Sequence, residues 1–123
     1  MNRLLPAATA LLVFFAGPST ALAADCSEDV KSALSDSKWT LTTDFSKGPE
    51  DSTVETRVAE NGKMEVVGKT MSMAITCDGR QIYFDWKNQE RKRYTLTLES
   101  DGSFSGSRPD KKGGTYSATL RRY

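Results

Sequence analysis

The stretch YTLTLESDGSFSGSR, residues 94–108, alternates apolar and polar residues, breaks at Asp101-Gly102 and alternates again. Tyr94, Leu96 and Leu98 fall on one face and Thr95 and Thr97 on the other, which is the two-residue period of a half-buried strand. The Asp-Gly pair supplies the positive φ that a tight hairpin turn needs, so this stretch predicts two antiparallel strands joined by a short turn.

The same grammar runs through most of the chain. Lys38 to Phe45 places Trp39 and Leu41 together, and Thr53 to Ala59 places Val54 and Val58 inward. Asn61-Gly62 is a hairpin turn signal, followed by Met64 to Gly68 and by Thr70 to Cys77 with Met71, Met73, Ile75 and Cys77 on one face. Asp78-Gly79 turns the chain into Gln81 to Trp86. Arg93 to Ser100, Ser103 to Ser107 and Thr115 to Arg122 complete the set. Eight strands with one apolar face and hairpin connections predict an all-β fold, an eight-stranded antiparallel up-and-down meander barrel; a two-sheet sandwich is the alternative.

Before the strands the period is helical. Asp25 or Ser27 can cap a helix whose first turn carries Glu28 and Asp29, with Val30, Ala33 and Leu34 on one face, so a short helix is expected to about Ser35. Further upstream, Arg3, an apolar run through Leu11 to Phe15 and then Ala21-Leu22-Ala23 have the order of a secretory signal with cleavage after Ala23. The expected organisation is therefore a signal peptide over 1–23 and a single β-barrel domain over 24–123, with no transmembrane segment after cleavage and a periplasmic or secreted location. In an oxidising compartment Cys26 and Cys77 have one intramolecular pairing, a disulfide.

Charge and composition narrow the function. The chain has 17 Lys and Arg against 16 Asp and Glu, and Arg3 leaves with the signal. A balance this even argues against a nucleic-acid binder. There is no histidine, which removes the commonest general base and metal ligand, and no phosphate loop, metal-binding cysteine cluster or diagnostic carboxylate pair is present. Asp44 and Asp85 read better as outward strand carboxylates than as acid and base. The expectation is a non-enzymatic protein with no cofactor and no metal.

In a meander, successive turns alternate between the two ends. Asn61-Gly62, Asp78-Gly79 and Asp101-Gly102 all fall at one end, and both cysteines are brought there too. The other end receives longer connections: Ser46 to Ser52, the Gly68-Lys69 bend, Lys87 to Lys92 and Arg108 to Gly114. It collects Lys47, Lys69, Lys87, Arg91, Lys92, Arg93, Arg108, Lys111 and Lys112 against Glu50, Asp51, Glu90 and Asp110. The candidate ligand- or partner-binding residues are Trp86, Lys87, Arg91, Lys92, Arg93, Tyr94, Lys111 and Lys112, with Trp86 and Tyr94 giving contact area and the cations selecting an anionic group. The aromatic residues and Met64, Met71 and Met73 can either line a cavity or fill a solid core.

Trp39 on the first strand, the eight-strand meander and Arg121 or Arg122 near the end of the last strand resemble the calycin group of lipocalins and avidins, in which such a Trp and Arg pack together at the closed end. Cys77-Asp78-Gly79 leading into a strand, and Ser105-Gly106, are similar to small periplasmic lysozyme inhibitors. The first resemblance implies a barrel taking a small hydrophobic, amphipathic or anionic molecule at the long-loop end. The second implies a protein-directed inhibitor or interaction module that meets an acidic protein surface.

Overall fold

Alternation drives the chain into strands because each buries one face against the others, and the structure, a computed structural model describing residues 26–59 and 63–123, contains nine of them among those residues. They are β1 (Ser37–Phe45), β2 (Gly48–Val58), β3 (Met64–Val67), β4 (Ser72–Ala74), β5 (Thr76–Asp78), β6 (Gln81–Asp85), β7 (Arg93–Leu98), β8 (Phe104–Pro109) and β9 (Thr115–Arg122). Helix α1 (Glu28–Leu34) precedes them. The expected signal peptide and the Asn61-Gly62 turn lie outside the described residues; the hairpin stem beside that turn is fixed by the Ala59 N–H donating to the Lys63 carbonyl at 2.7 Å.

All pairings are antiparallel within one sheet, in the order β4-β3-β2-β1-β9-β8-β7-β6-β5. The first strand pairs with the last, Leu41 opposite Leu120 and Thr43 opposite Ala118. The sheet's two outer strands, β4 and β5, are consecutive in the chain, so the sheet curls into a nearly closed barrel. This accounts for nine strands where eight were expected. The predicted strand Thr70 to Cys77 changes partner at Ile75: Ser72–Ala74 pairs with β3, and Thr76–Asp78 pairs with β6.

The interior is filled. Trp39, Leu41, Val54, Val66, Ile82, Phe84, Leu96, Phe104 and Leu120 are all buried to 2% exposure or less. Trp39 meets Phe104 edge to face at 5.6 Å and donates its indole N–H to Thr56 Oγ1 at 2.9 Å, so its one polar atom is satisfied inside. Met71, expected inward, is 37% exposed, while Met73 two residues later is buried.

Helix α1 covers the end with the tight turns. Ser27, rather than Asp25, is its N-cap, accepting from the Val30 N–H at 3.3 Å. Cys26 is disulfide-bonded to Cys77, and the Ser27 N–H donates to the Gly79 carbonyl at 2.8 Å, which ties the start of the helix to the β5–β6 turn. Its other end is held by Arg122, whose guanidinium lies 4.8 Å over the Trp39 ring while its two Nη groups donate to Ser37 Oγ at 3.2 Å and to the Ala33 carbonyl at 3.3 Å. Arg121, one residue earlier, makes no such contact among the described residues. Removing the guanidinium by Arg122→Ala is expected to destabilise the fold by roughly 1–2 kcal/mol, the sum of an exposed cation–π contact and a charged helix-end hydrogen bond. Urea unfolding followed by tryptophan emission measures it, and Arg121→Ala should be near neutral in the same assay.

At the opposite end β1 and β2 run on as a projecting hairpin. The expected loop Ser46 to Ser52 is instead only the turn Ser46-Lys47, with Phe45 opposite Gly48 and β2 already in register with β1. Gly48 takes φ 128°, which favours glycine, and Thr42 Oγ1 donates to Asp51 Oδ1 at 2.7 Å across the pair. Pro49, within the expected loop, is tolerated in β2 because β3 joins β2 only from Glu55 onward, so the missing N–H lies along an edge with no second neighbour among the described strands.

Candidate functional site

The late start of the β2–β3 pairing leaves a notch in the barrel wall at the end away from α1. It forms a cleft of about 770 Å³. One side is the β2 edge from Asp51 to Glu55, another is the connection from Val67 to Met71 with Met73, and the third is Trp86 and Lys87. Val67, Met71 and Trp86 give it apolar surface over the buried Val54 and Met73, Lys69 and Lys87 give it cations, and Asp51 and Glu55 give it carboxylates.

The segment that brings Trp86 and Lys87 there is the β6–β7 connection, two successive 3₁₀ turns at Trp86–Asn88 and Glu90–Lys92. It is pinned through sulfur to β4 and the residue just before it: the Lys87 N–H donates to Met73 Sδ at 3.3 Å and Asn88 Nδ2 to Met71 Sδ at 3.8 Å. Lys87 and Asn88 are both left-handed, with φ 56° and 58°. Asn tolerates that region, whereas a lysine there carries strain of about 1 kcal/mol that the surrounding contacts must hold.

Beneath this rim an aromatic layer closes the barrel. Tyr94 is buried, stacks on Phe84 at 5.1 Å, meets Trp86 edge-on at 6.0 Å and shares a 2.6 Å hydrogen bond between its hydroxyl and Thr43 Oγ1. Above it the Arg108 guanidinium lies over Phe45, Tyr94 and Tyr116.

The eight candidate residues therefore divide. Trp86 and Lys87 line the cleft, and Arg91, Lys92, Lys111 and Lys112 lie on connections at the same end. Tyr94 sits inside the wall and Arg93 is engaged: its Nε and Nη2 donate to the two Asp85 oxygens at 2.8 and 3.3 Å, and Glu90 lies 3.6 Å away. That hydrogen bond, then the attraction of Asp85 and of Glu90, holds the Arg93 pKa above its ordinary value. Arg93 and Asp85 are directly opposite in the β6–β7 register, which keeps Asp85 in an ion pair. The Lys92 ammonium is shifted below its ordinary pKa by partial burial first, then by repulsion from Lys87, Arg91, Arg108 and Lys111.

Several contributors were not among the eight candidates. Met71 and Met73 were read as able either to line a cavity or to fill the core, and nothing local showed that the wall opens beside them. Arg108 carried a signal: it continues the inward phase of Phe104 and Gly106, so a cation stood where the alternation calls for an apolar side chain. The free β2 edge had none, since it follows from where β3 stops.

Fold and site together define a small, disulfide-tied antiparallel barrel with a helix-covered end and a cationic, cleft-bearing end. Among the described residues no helix is long and apolar enough to cross a membrane, and no cluster of three or more Cys, Asp or Glu side chains could hold a metal ion. Comparisons with protein-family models, with curated proteins and with solved structures find no match to this chain.

Proposed function

We propose that this chain is an exported, non-enzymatic binding protein of the periplasm or exterior that takes a small amphipathic anion in its wall cleft. The observation that carries the reading is the cleft itself. Its volume is within the range of small-molecule sites, its apolar residues come from three separate elements, and Lys69 and Lys87 stand beside them. An apolar tail would lie against Val67, Trp86 and Met71, whose thioether adapts to varied shapes, while the anionic group meets a lysine. This differs from a hollow lipocalin-like barrel in placing the ligand in the wall, since the interior is filled; the stacking of Arg122 on Trp39 is in keeping with a calycin-like covered end. The disulfide suits an oxidising compartment.

Titration of the mature protein with oleate, followed through Trp86 emission, tests it. Saturable binding is expected, with Met71→Glu weakening it about tenfold, roughly 1.4 kcal/mol, by placing a carboxylate in the apolar part. Absence of any saturable response, together with a bare mass for protein purified from its own compartment, would end this reading.

One observation favours a second reading, a protein-directed inhibitor or interaction module meeting an acidic surface. The core is filled and the β1–β2 hairpin projects, with Gly48–Val54 in register with β1 alone among the described strands. Recovery of a stoichiometric protein partner in place of a small molecule would select it.

A further inference from the structure

A second feature of the wide end is separate from the cleft and shares only Lys87 with it. The Arg108 guanidinium lies over three rings, Phe45 at 5.4 Å, Tyr94 at 5.7 Å and Tyr116 at 5.7 Å, drawn from β1, β7 and β9. Phe45 and Tyr116 are themselves fixed edge to face at 5.0 Å. A guanidinium held in this way is oriented by the rings, and its N–H edge remains the means of directional bonding. Nε reaches only the neighbouring Pro109 carbonyl at 3.4 Å, and neither Nη has an acceptor among the described residues.

The surroundings are cationic, and among the described residues these cations form no ion pair. The Glu90–Lys92 turn packs against β8, which carries Arg108. Lys92 is thereby set among Lys87, Arg91, Arg108 and Lys111, each of which acts on it through its charge. Glu50 and Asp44 lie on the β1–β2 hairpin and form no ion pair among the described residues, and the other carboxylates at this end are used elsewhere. Asp85 and Glu90 hold Arg93, Asp51 accepts from Thr42, and Asp110 Oδ1 accepts from the backbone N–H groups of Lys112 and Gly114 at 2.7 and 2.9 Å. Among the described residues none of these five cations has a carboxylate within 4.0 Å.

We infer that this cluster is a binding site for a multiply charged oxyanion of the phosphate class, with Arg108 as its fixed centre and Lys92 and Lys111 beside it. A single carboxylate would leave most of this positive charge unmatched, whereas a polyphosphate or phosphodiester group offers several charges in the space of a few bonds. The planar fork of Arg108 pairs with two oxygens of one tetrahedral group, and the lysines act as point charges on the rest. Keeping five cations together without counter-ions opposes folding, and an anionic ligand relieves that repulsion. The inference does not rest on the cleft reading, because a ligand of this class needs no apolar part.

The test is calorimetric titration of the mature protein with tripolyphosphate at low ionic strength, alongside cosedimentation with phosphatidylglycerol and with phosphatidylcholine vesicles. Saturable binding is expected, weakening steeply as salt rises through the range where the Debye length falls to about 10 Å. Arg108→Gln should weaken it about tenfold, and so should the double change Lys92→Gln with Lys111→Gln, which leaves the ring cluster untouched. Lys31→Gln, on α1 at the covered end, should leave it unchanged. Binding of tripolyphosphate alone identifies a soluble ligand, and binding of phosphatidylglycerol vesicles with the same sensitivity to the variants identifies a lipid headgroup; either supports the site. Lack of binding to both at low salt, or affinity that the double variant leaves intact, overturns it. Oleate binding that fails while tripolyphosphate binds would remove the cleft reading and leave this one standing.

Discussion

Gly106→Val is expected to prevent the chain from reaching its native barrel, and Gly106→Ala to cost roughly 3 kcal/mol or more. Gly106 sits opposite Leu96 on β7 and Ala118 on β9, in the middle of the wall. A methyl group at its Cα would overlap the Thr95 carbonyl oxygen and stand 3.0 Å from Leu96 Cα, so the obstacle is backbone and no side-chain rotation relieves it. Overpacking a well-packed site costs about 1–3 kcal/mol when neighbours can shift, and a sheet paired on both sides has little room to do so. For a small domain this approaches the lower end of total stability, about 5 kcal/mol. Gly68→Ala is the control, because its nearest neighbour would be the Met71 carbonyl oxygen at 3.6 Å, an ordinary contact. Urea midpoints at 25 °C compare the two. Equal midpoints for Gly106→Ala and the unmodified protein would mean that β7 and β8 separate at little cost.

Reduction of the Cys26–Cys77 bond, or the double change Cys26→Ser with Cys77→Ser, should lower the thermal midpoint by about 20 °C. The bond joins residues 51 apart, and closing a loop of that length removes about 4 kcal/mol of chain entropy from the unfolded state. The native state has its own stake in the link. The Ser27 N–H bond to Gly79 and the burial of Val30 and Leu34 under the barrel both depend on α1 staying docked. Calorimetry with and without reductant reads the shift, and a change of only a few degrees would show that helix packing holds this end closed without the covalent tie.

Much of this architecture is legible in the residues themselves. Strict alternation in Tyr94, Leu96 and Leu98 and in Tyr116, Ala118 and Leu120 placed β7 and β9 on the barrel, and the bounds of β9 coincide with the pattern. Sorting the turns by parity placed Cys26, Cys77 and Gly79 together, as the disulfide confirms. What stayed hidden was set by partners distant in sequence. The break at Ile75 leaves the apolar face of Met73 and Cys77 intact and alters only which strand each half pairs with. The Ser46 to Ser52 stretch with Pro49 reads as a loop until it is known that, among the described residues, no third strand needs an N–H at Pro49. The wide end was recognisable as basic, yet which cations are committed follows from cross-strand register: Arg93 opposite Asp85 is paired, while Arg108, two positions after Gly106 on the inward face, has rings around it and no carboxylate.

The pairing of β1 with β9 has a kinetic meaning. Residues 39–43 find their second neighbour only in residues 118–122, so the contact that joins the β1–β4 half of the sheet to the β5–β9 half spans most of the chain. Such a contact is among the last that a growing or refolding chain can make, because the intervening loop must first be ordered. Until the final strand is present, β1 and β8 each offer an open edge to any passing chain. The sequence from Thr115 onward thus acts as a latch: a chain halted before it retains most of its apolar pattern but is left as two separate sheets, and a completed chain joins them and covers both of those edges in one pairing step.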